Sequence, residues 1–465
     1  MLRALAGQVD GPQVYARPAD LAAYAYDAWG ASGDRHLPDA VVFPGSTEEV
    51  AGAVAVCAHY GVPVIARGAG TGYAAGALPV GGGVVISLTR LNHVLGVEAD
   101  ALRLRAEAGT ITHEIHARAE RAGLYYPPDP GSSTTCTIGG NVACNAAGPH
   151  TLRYGVTADY VVGLTAVLAN GEVVRLGEGG SKSDPALLSL LCGSEGTIGV
   201  ITEVVLRLLP APPARATLAA TFTSMDNAAE SVARITAAGL VPAAIEFLDA
   251  GALAAVRRAG GGDIGGDAAA LVIIEVEGDR ATVDAEADAV RAAMAKAGPI
   301  GVEQARDAAE AARLWAARKA VSAAVAKVMI GKVNEDVVVP RDRLAELVGL
   351  TGEIGDRHHL PVVNFGHLGD GNLHATFLID PRVPGERARA EAAAAELFGV
   401  VLDMGGSLSG EHGVGAAKLE YVERQLGPGG VELERRIKAA LDPAGILNPG
   451  KKVPQPSSAA SSDAA

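Results

Sequence analysis

The sequence predicts an α+β chain in two parts, and three observations carry that expectation. As far as about residue 210, short apolar strand-like runs alternate with glycine-rich turns. Pro210-Ala-Pro-Pro213 then interrupts the pattern, because clustered prolines stop both helices and central strands. Beyond it, alanine-rich helical stretches alternate with further strands, the pattern of helices laid over one face of an antiparallel sheet. The length of 465 residues also exceeds what one ordinary core fills, so two or three domains are expected.

The elements follow in chain order. In Pro44-Gly-Ser-Thr-Glu-Glu-Val50 a turn leads into a helix capped by Ser46 or Thr47, with Glu49 in its first turn, and the helix runs to about Tyr60. Val62–Ala66 is a buried strand, and further strands are expected at Val84–Leu88, Leu102–Ala106, Val161–Leu168 and Val200–Leu208. After the prolines, helices are expected at 226–238, 281–297, 305–328 and 386–404, with strands at Ala269–Glu277 and Val333–Pro340. A last helix over 431–441 precedes Asp442–Lys451, and the Ser/Ala-rich tail Gln455–Ala465 is expected to be disordered. The chain therefore divides into 1–211, 212–430, 431–454 and 455–465.

Composition narrows the function. With 49% hydrophobic and 20% charged residues the chain is globular. An excess of 53 acidic over 39 basic residues gives a net charge of −14, which argues against nucleic acid or an anionic membrane as the main partner. No apolar run approaches the roughly 20 residues that span a bilayer. Met1–Asp10 lacks the apolar stretch of a secretory signal, so a cytoplasmic location is expected. Cys57, Cys136, Cys144 and Cys192 form no C-x-x-C pair, which fits neither an iron–sulfur cluster nor a thiolate zinc site. They read as reduced packing residues. A redox enzyme with this set would pass its electrons to something outside the chain.

Two groups of motifs carry chemistry. Arg67-Gly-Ala-Gly-Thr-Gly72 follows a predicted strand, and its glycines would let backbone N–H groups converge on an anion. It does not fit G-x-G-x-x-G, since Tyr73 or Ala75 stands at the last position, which disfavours an ordinary nicotinamide-binding fold. Alone, such a turn is more often structural. Thr137-Ile-Gly-Gly-Asn-Val142 and Gly193-Ser-Glu-Gly-Thr-Ile-Gly199 repeat the theme, and Pro127-Pro-Asp-Pro-Gly-Ser-Ser133 adds a rigid extended segment. Several separated polar glycine loops suit a long ligand that carries a pyrophosphate.

The second group is His367-Leu-Gly-Asp-Gly-Asn-Leu-His374 with Gly410-Glu-His-Gly413. Three imidazoles and a carboxylate suit a divalent metal such as zinc, with one imidazole left for acid–base work. Residues 365–379 read as strand, Gly-Asp-Gly turn, strand, which puts His374, Thr376 and Leu378 on one face and Ala375, Phe377 and Ile379 on the other. The turn folds His367 back towards His374, and Glu411, from another strand end, would add an anionic ligand and leave a position open. Two histidines and one carboxylate suit manganese or iron(II) as well. The plain alternative is a pair of histidines that hydrogen-bond a buried turn. His358-His359, just before a predicted strand, read as solvated.

From about Pro38 to Val453 the chain resembles the FAD-linked D-2-hydroxyacid dehydrogenases and oxidases, which have the vanillyl-alcohol-oxidase-type FAD-binding fold and include glycolate oxidase flavin subunits, D-lactate dehydrogenases and D-2-hydroxyglutarate dehydrogenases. The resemblance lies in Pro63-Val-Ile-Ala-Arg-Gly-Ala-Gly-Thr, Pro127-Pro-Asp-Pro, Ile138-Gly-Gly-Asn, Gly193-Ser-Glu-Gly-Thr-Ile-Gly, Glu335-Asp-Val-Val-Val-Pro, both histidine motifs and Asn448-Pro-Gly-Lys, all in family order. It implies a two-subdomain FAD-binding domain, then an α+β substrate or cap domain with a helix-covered antiparallel sheet, and a C-terminal segment that returns to the flavin. Arg67, Gly68, Ala69, Gly70 and Thr71 would surround the FAD pyrophosphate. Pro128, Asp129, Gly139, Gly140 and Asn141 would line flavin and diphosphate, Glu195, Gly196 and Ile201 the adenosine side, and Asn448 would reach the isoalloxazine. Covalently flavinylated relatives often carry a histidine where this chain has Thr71, so non-covalent FAD is implied.

By the same resemblance His367, His374 and Glu411 bind the metal and His412 is the base. Arg318, on the helix after Trp315, binds the substrate carboxylate, with Lys332 as a candidate assistant. The implied reaction oxidises a small D-2-hydroxy acid and hands electrons to a cytochrome, a quinone, an electron-transfer flavoprotein or an iron–sulfur subunit. A homodimer and peripheral membrane attachment through a partner are compatible with it. Three rivals stand beside this reading. An alkylglycerone-phosphate synthase shares the FAD domain but is expected to be longer, with a targeting sequence. A metal hydrolase would keep the glycine loops as structure alone, and a non-enzymatic flavin subunit would leave the chemistry to a larger complex.

Overall fold

A computed structural model describes residues 1–29, 36–178, 185–260, 265–328 and 330–455, so most of the tail expected to be disordered, 456–465, lies outside the described residues. The first part holds two sheets. Strands β1 (Val14–Tyr15), β2 (Ala40–Val42), β3 (Val64–Arg67) and β4 (Val84–Ser87) lie in the order β1-β2-β4-β3, with β2 and β3 both parallel to β4. A parallel arrangement needs a crossover, and the helix Thr47–Tyr60 supplies it between β2 and β3. Its cap is Ser46, whose hydroxyl accepts the Glu49 N–H, and left-handed Gly61 closes it.

Strands β5 (Val94–Glu98) and β6 (Arg103–Glu107) open a second sheet, which is antiparallel throughout. After the short strand β7 (Leu124–Tyr125), the sheet continues with β8 (Val161–Val167), β9 (Val173–Gly177) and β10 (Val200–Arg207) in the order β5-β6-β10-β8-β9. One core joins the two sheets, with Val50, Val54 and Cys57 of the helix packed among Val84, Ile86, Leu104, Val204 and Leu206. Strand β11 (Leu209–Pro210) pairs with β7, so the first proline of the cluster sits on a two-residue edge where no ladder donor is missed.

The second part is a seven-stranded antiparallel sheet. Its strands are β12 (Ala214–Phe222), β13 (Ala244–Asp249), β14 (Ala270–Gly278), β15 (Gly301–Gln304), β16 (Gly331–Val338), β17 (Val362–His367) and β18 (Asn372–Ile379), in the order β15-β12-β14-β13-β17-β18-β16. Helices Met225–Ala237, Arg280–Ala295, Leu344–His358 and Glu386–Asp403 cover one face over Phe222, Phe247, Ala375, Phe377 and Ile379. The expectation of helices on one face alone is corrected here. Helices Ala250–Arg258 and Ala308–Val328 pack on the opposite face, over Leu248, Ile273, Val363, Phe365 and Leu378. They cover only part of it. The remainder carries polar side chains turned to the first part, where Arg215 lies over the Tyr125 ring and Lys332 over the Tyr73 ring.

Two further differences concern the C-terminal half. The expected helix over 431–441 is preceded by another, since Val422–Leu441 is two helices that meet at a break at left-handed Gly427 and Pro428, with 431–441 in the second. Glu411 lies in the loop after the Glu386–Asp403 helix rather than at a strand end. The nearest strand-like pairing is an isolated bridge between Ser407 and Val338. The C-terminal segment returns to the first part, where Val64 N–H donates to Ile446 O at 2.7 Å and Asn448 N–H to Val64 O at 2.8 Å. Among the described residues no helix is long and apolar enough to cross a membrane.

Candidate active site

Register places the histidines. In β13, β17 and β18, Glu246 stands opposite His367 and His367 opposite Asn372, while Phe365 stands opposite His374 and His374 opposite Asp336 of β16. His367 and His374 are thus diagonal neighbours on the polar face, with ring centroids 5.4 Å apart. From its loop Glu411 brings Oε1 to 3.3 Å from His374 Nε2 and 3.8 Å from His367 Nε2. The three residues offer ligand atoms within 4.8 Å of one another. His367 Nε2 and Glu411 Oε2 are buried without a hydrogen-bond partner among the described residues, a donor set that a divalent cation fits.

Asp336, His374 and His412 form a second such group. Hydrogen bonding separates the two. Asp336 Oδ2 accepts the N–H groups of Gly410, Glu411 and His412 at 2.8, 2.8 and 3.0 Å and the Ser409 hydroxyl at 3.0 Å, and Oδ1 accepts from Asn372. That carboxylate is occupied as the anchor of the 409–412 loop, so the open positions belong to the first group.

The electrostatics follow from burial and pairing. Burial opposes a charge on His367, yet hydrogen-bonded Glu246, with Glu411 beyond, holds its pKa well above the usual value. Glu411 is held well below the carboxylate range by His367 and His374, again against burial. Burial pushes His412 down, and Asp336 and Glu411 offset this only in part, so its ring is neutral near pH 7. His412 stacks on His374 at 5.3 Å and lies 5.1 Å from the Tyr73 ring, with Nδ1 buried and without a hydrogen-bond partner among the described residues.

Arg318 reaches the same place from the Ala308–Val328 helix. Its Nε donates to Glu246 Oε2 at 2.6 Å, and the guanidinium lies 4.9 Å over the Phe365 ring. Its Nη atoms make no protein hydrogen bond among the described residues and can take a carboxylate. Lys332 Nζ lies 5.2 Å over the Tyr73 ring, whose neighbour is His412. The structure thus brings together His367, His374, Glu411, His412, Arg318 and Lys332. His358 stands apart, bonded to Glu396 at 2.9 Å.

The glycine loops also converge. A Cβ on Gly68 would stand 2.2 Å from Thr137 Oγ1, so the 67–72 loop meets the N-terminus of the helix Ile138–Cys144 only because residue 68 is glycine. Gly139 N–H bonds Ala108 O, while Gly193 N–H bonds Val142 O and Glu195 N–H bonds Ala143 O. The N–H groups of residues 69–73 donate to no protein acceptor among the described residues, and a phosphate group fits such a cradle. Gly70 and Thr71 lie in the first of these segments, Gly140 in the helix Ile138–Cys144 and Gly196 beside Glu195, and Pro128 O accepts from His116 beside Asp129.

Several side chains assigned to the cofactor are turned elsewhere. Arg67 donates to Tyr26 O at 2.9 Å and packs on Tyr24, because it is buried beneath its own loop. Asn141 donates to Thr112, and Ile201 lies in the core between the first two sheets. Asn448 does not reach outward, since its Nδ2 donates to Gly76 O and Glu195 O and its Oδ1 accepts from Lys451. The Glu195 carboxylate faces the 414–415 backbone.

Sequence reasoning missed Glu246, Asp336 and Tyr73. Glu246 had a signal, a lone acid inside the apolar run Ala244-Ile-Glu-Phe-Leu248. Asp336 lies in Glu335-Asp-Val-Val-Val-Pro340, where nothing local marks its role, and Tyr73 directly follows the first glycine loop.

A glycine-rich cradle in the first part and clustered histidines on the polar strip of the second part's sheet suit a cofactor-dependent oxidoreductase. Residues 38–177 match the family described as FAD binding domain, and residues 211–452 match FAD linked oxidases, C-terminal domain. The chain belongs to the FAD-linked oxidases. It is 38% identical over 448 residues to glycolate oxidase subunit GlcD of Bacillus subtilis, covering 96% of this chain and 95% of that one. It is 34% identical to D-lactate dehydrogenase of Anaerostipes hadrus, covering 89% of each chain. In fold it is similar to p-cresol methylhydroxylase with a TM-score of 0.79 at 18% identity, over 98% of this chain and 96% of that one.

Proposed function

We propose that this protein oxidises a D-2-hydroxy acid of the D-lactate, glycolate or D-2-hydroxyglutarate class to the corresponding 2-oxo acid. The observation that carries the reading is the meeting of Arg318 and neutral His412 across the His367–His374 pair. The names of the relatives, a glycolate oxidase subunit and a D-lactate dehydrogenase, support the substrate class.

Arg318 binds the substrate carboxylate through its Nη atoms while Glu246 fixes its Nε, and Lys332 assists from across Tyr73. His412 accepts the C2 hydroxyl proton, for which burial keeps its ring in the basic form. His367, His374 and Glu411 would hold a divalent metal, zinc in the first instance with manganese and iron suited too, and it would supply Lewis-acid activation of the hydroxyl. The 67–73 and 193–199 loops and the start of the helix Ile138–Cys144 would hold non-covalent FAD, which would supply the hydride acceptor. Tyr73 and the cap sheet shield the reacting atoms from water. The reduced cofactor then needs an external electron acceptor. A second reading, a flavin subunit within a larger complex, is favoured by the subunit name of the Bacillus subtilis relative.

Anaerobic titration with D- and L-2-hydroxy acids tests this directly. The flavin band near about 450 nm should bleach with a D-acid and the isolated chain, without other subunits. His412→Ala should keep that band and reduce about 100-fold or more slowly. A flavin that no 2-hydroxy acid bleaches refutes the activity, and activity that survives dialysis against a chelator refutes the metal.

A further inference from the structure

The loop that carries His412 is gripped by two carboxylates from different parts of the chain. Asp336, on the cap sheet, receives the N–H groups of 410, 411 and 412. Glu195, on a glycine loop of the FAD-binding part, receives Val414 N–H on Oε1 at 2.8 Å and Gly415 N–H on Oε2 at 2.7 Å. The two grips leave only residue 413 between them, immediately after the base.

Glu195 is poor as a structural filler. Its carboxylate is buried, burial penalises its charge, and its backbone takes a left-handed φ of 54°. Charge-assisted bonds to two successive N–H groups are what offset those costs. The same backbone stretch is fitted closely to the FAD-binding part. Ala416 and Ala417 N–H both point at Ala74 O, one residue beyond Tyr73, and a Cβ on Gly415 would stand 1.7 Å from that oxygen. The Glu195 carbonyl in turn accepts from Asn448, so one residue joins the glycine loop, the C-terminal segment and the base loop.

We propose that Glu195 is a positioning residue that fixes His412 from the FAD-binding side, so that the cap and the cofactor domain jointly set the aim of the base. The proposal rests on the reading of His412 as base. It gives a GSEG-loop carboxylate a role in proton transfer rather than in holding the adenosine end of the cofactor. Misplacement of a reacting group by about 1 Å costs on the order of 100-fold in rate. A lost grip on one side of residue 413 should therefore show in turnover more than in affinity.

The test uses the full-length holoenzyme with D-lactate or glycolate, whichever bleaches the wild-type flavin, and three variants. Glu195→Gln keeps size and one acceptor but turns an N–H towards the second donor. It should retain full flavin content and lower the limiting rate of flavin reduction about 10- to 100-fold, with KM within about twofold. Gly415→Ala leaves Glu195 intact and pushes the same loop off Ala74, and it should reproduce the rate loss. His412→Ala separates the two claims. Wild-type reduction by His412→Ala refutes the base itself, whereas a slow His412→Ala beside a fast, flavin-replete Glu195→Gln refutes the positioning role alone. Loss of flavin from Glu195→Gln, with normal reduction once FAD is added back, also overturns it and returns the residue to cofactor binding. The split between limiting rate and KM gives a readout that mere destabilisation does not move, and a raised KM beside an unchanged limiting rate counts against the proposal.

Discussion

Replacing Glu246 by glutamine should damage stability, metal retention and substrate affinity together. Glu246 is 0% exposed, and its carboxylate takes Arg318 Nε on one oxygen and His367 Nδ1 on the other. Glutamine fills the same volume, so no cavity forms, but its amide has one acceptor for two buried donors. Breaking a buried ionic arrangement in this way costs about 3–5 kcal/mol. Native domains hold roughly 5–15 kcal/mol, so the variant should still fold, with a urea midpoint clearly lowered. Removing the partner that orients a metal-binding histidine lowers metal affinity about 10- to 100-fold. KM should rise with it, because Arg318 loses its anchor. The sign of the pH dependence is defined. Burial would raise the Glu246 pKa, but His367 and Arg318 depress it below the usual value. Its stabilisation is then present above the unfolded carboxylate value of about 4.3 and is lost as pH falls through the lower folded value. The gap between wild type and Glu246→Gln should be full at pH 7 and close in acid. Urea unfolding at pH 7 and pH 3, with metal content and KM, decides the matter. A variant within about 1 kcal/mol of wild type at pH 7, with KM unchanged within about twofold, would refute the bridging role.

Two other outcomes are expected. Arg318→Met should raise KM for a 2-hydroxy acid about tenfold to hundredfold with flavin content unchanged, the loss of one charged hydrogen-bond site of about 1.5–3 kcal/mol; an unchanged KM in steady-state assays would remove Arg318 as the carboxylate clamp. Glu335, on the helix-covered face beside Lys418, is pushed up to about 7 by burial and Asp336 despite that lysine. A carboxyl raised in the folded state is fully tolerated below its unfolded value near about 4.3 and costs stability as pH climbs to the folded one. Relative to Glu335→Gln, wild type should lose about 3–4 kcal/mol between pH 4 and pH 8 in urea titrations, and parallel curves would disprove the shift.

What the sequence made legible is local. Ser46 with Glu49 marked the start of the Thr47–Tyr60 helix, because a cap needs only neighbours within one turn. The Gly-Asp-Gly turn and period-two alternation marked the β17–β18 hairpin, and with it the meeting of His367 and His374. The cofactor loops were legible as glycine patterns, though not the direction of their side chains. Arg67, Asn141, Glu195 and Asn448 each had a polar group that a ligand or the protein could use, and the protein used it.

The remainder depends on strand order, which no short-range pattern encodes. Glu246 faces His367 because β13 lies between β14 and β17, an arrangement reached by chain crossings of more than a hundred residues. Asp336 meets the base loop because β16, distant in sequence from residue 410, closes the sheet at the edge beyond β18. The same order explains why two faces of one sheet differ so much. Four helices seal one face with apolar packing, whereas two helices stop short on the other, and the uncovered strip must be polar where it meets the FAD-binding part. Glu246, His367, His374 and Asp336 find their partners within this second part, in Arg318, Asn372 and the 409–412 loop. The link to the FAD-binding part runs through the end of that loop, where Glu195 takes the Val414 and Gly415 N–H groups, so a substitution such as Glu246→Gln is felt first inside the site, at Arg318 and His367.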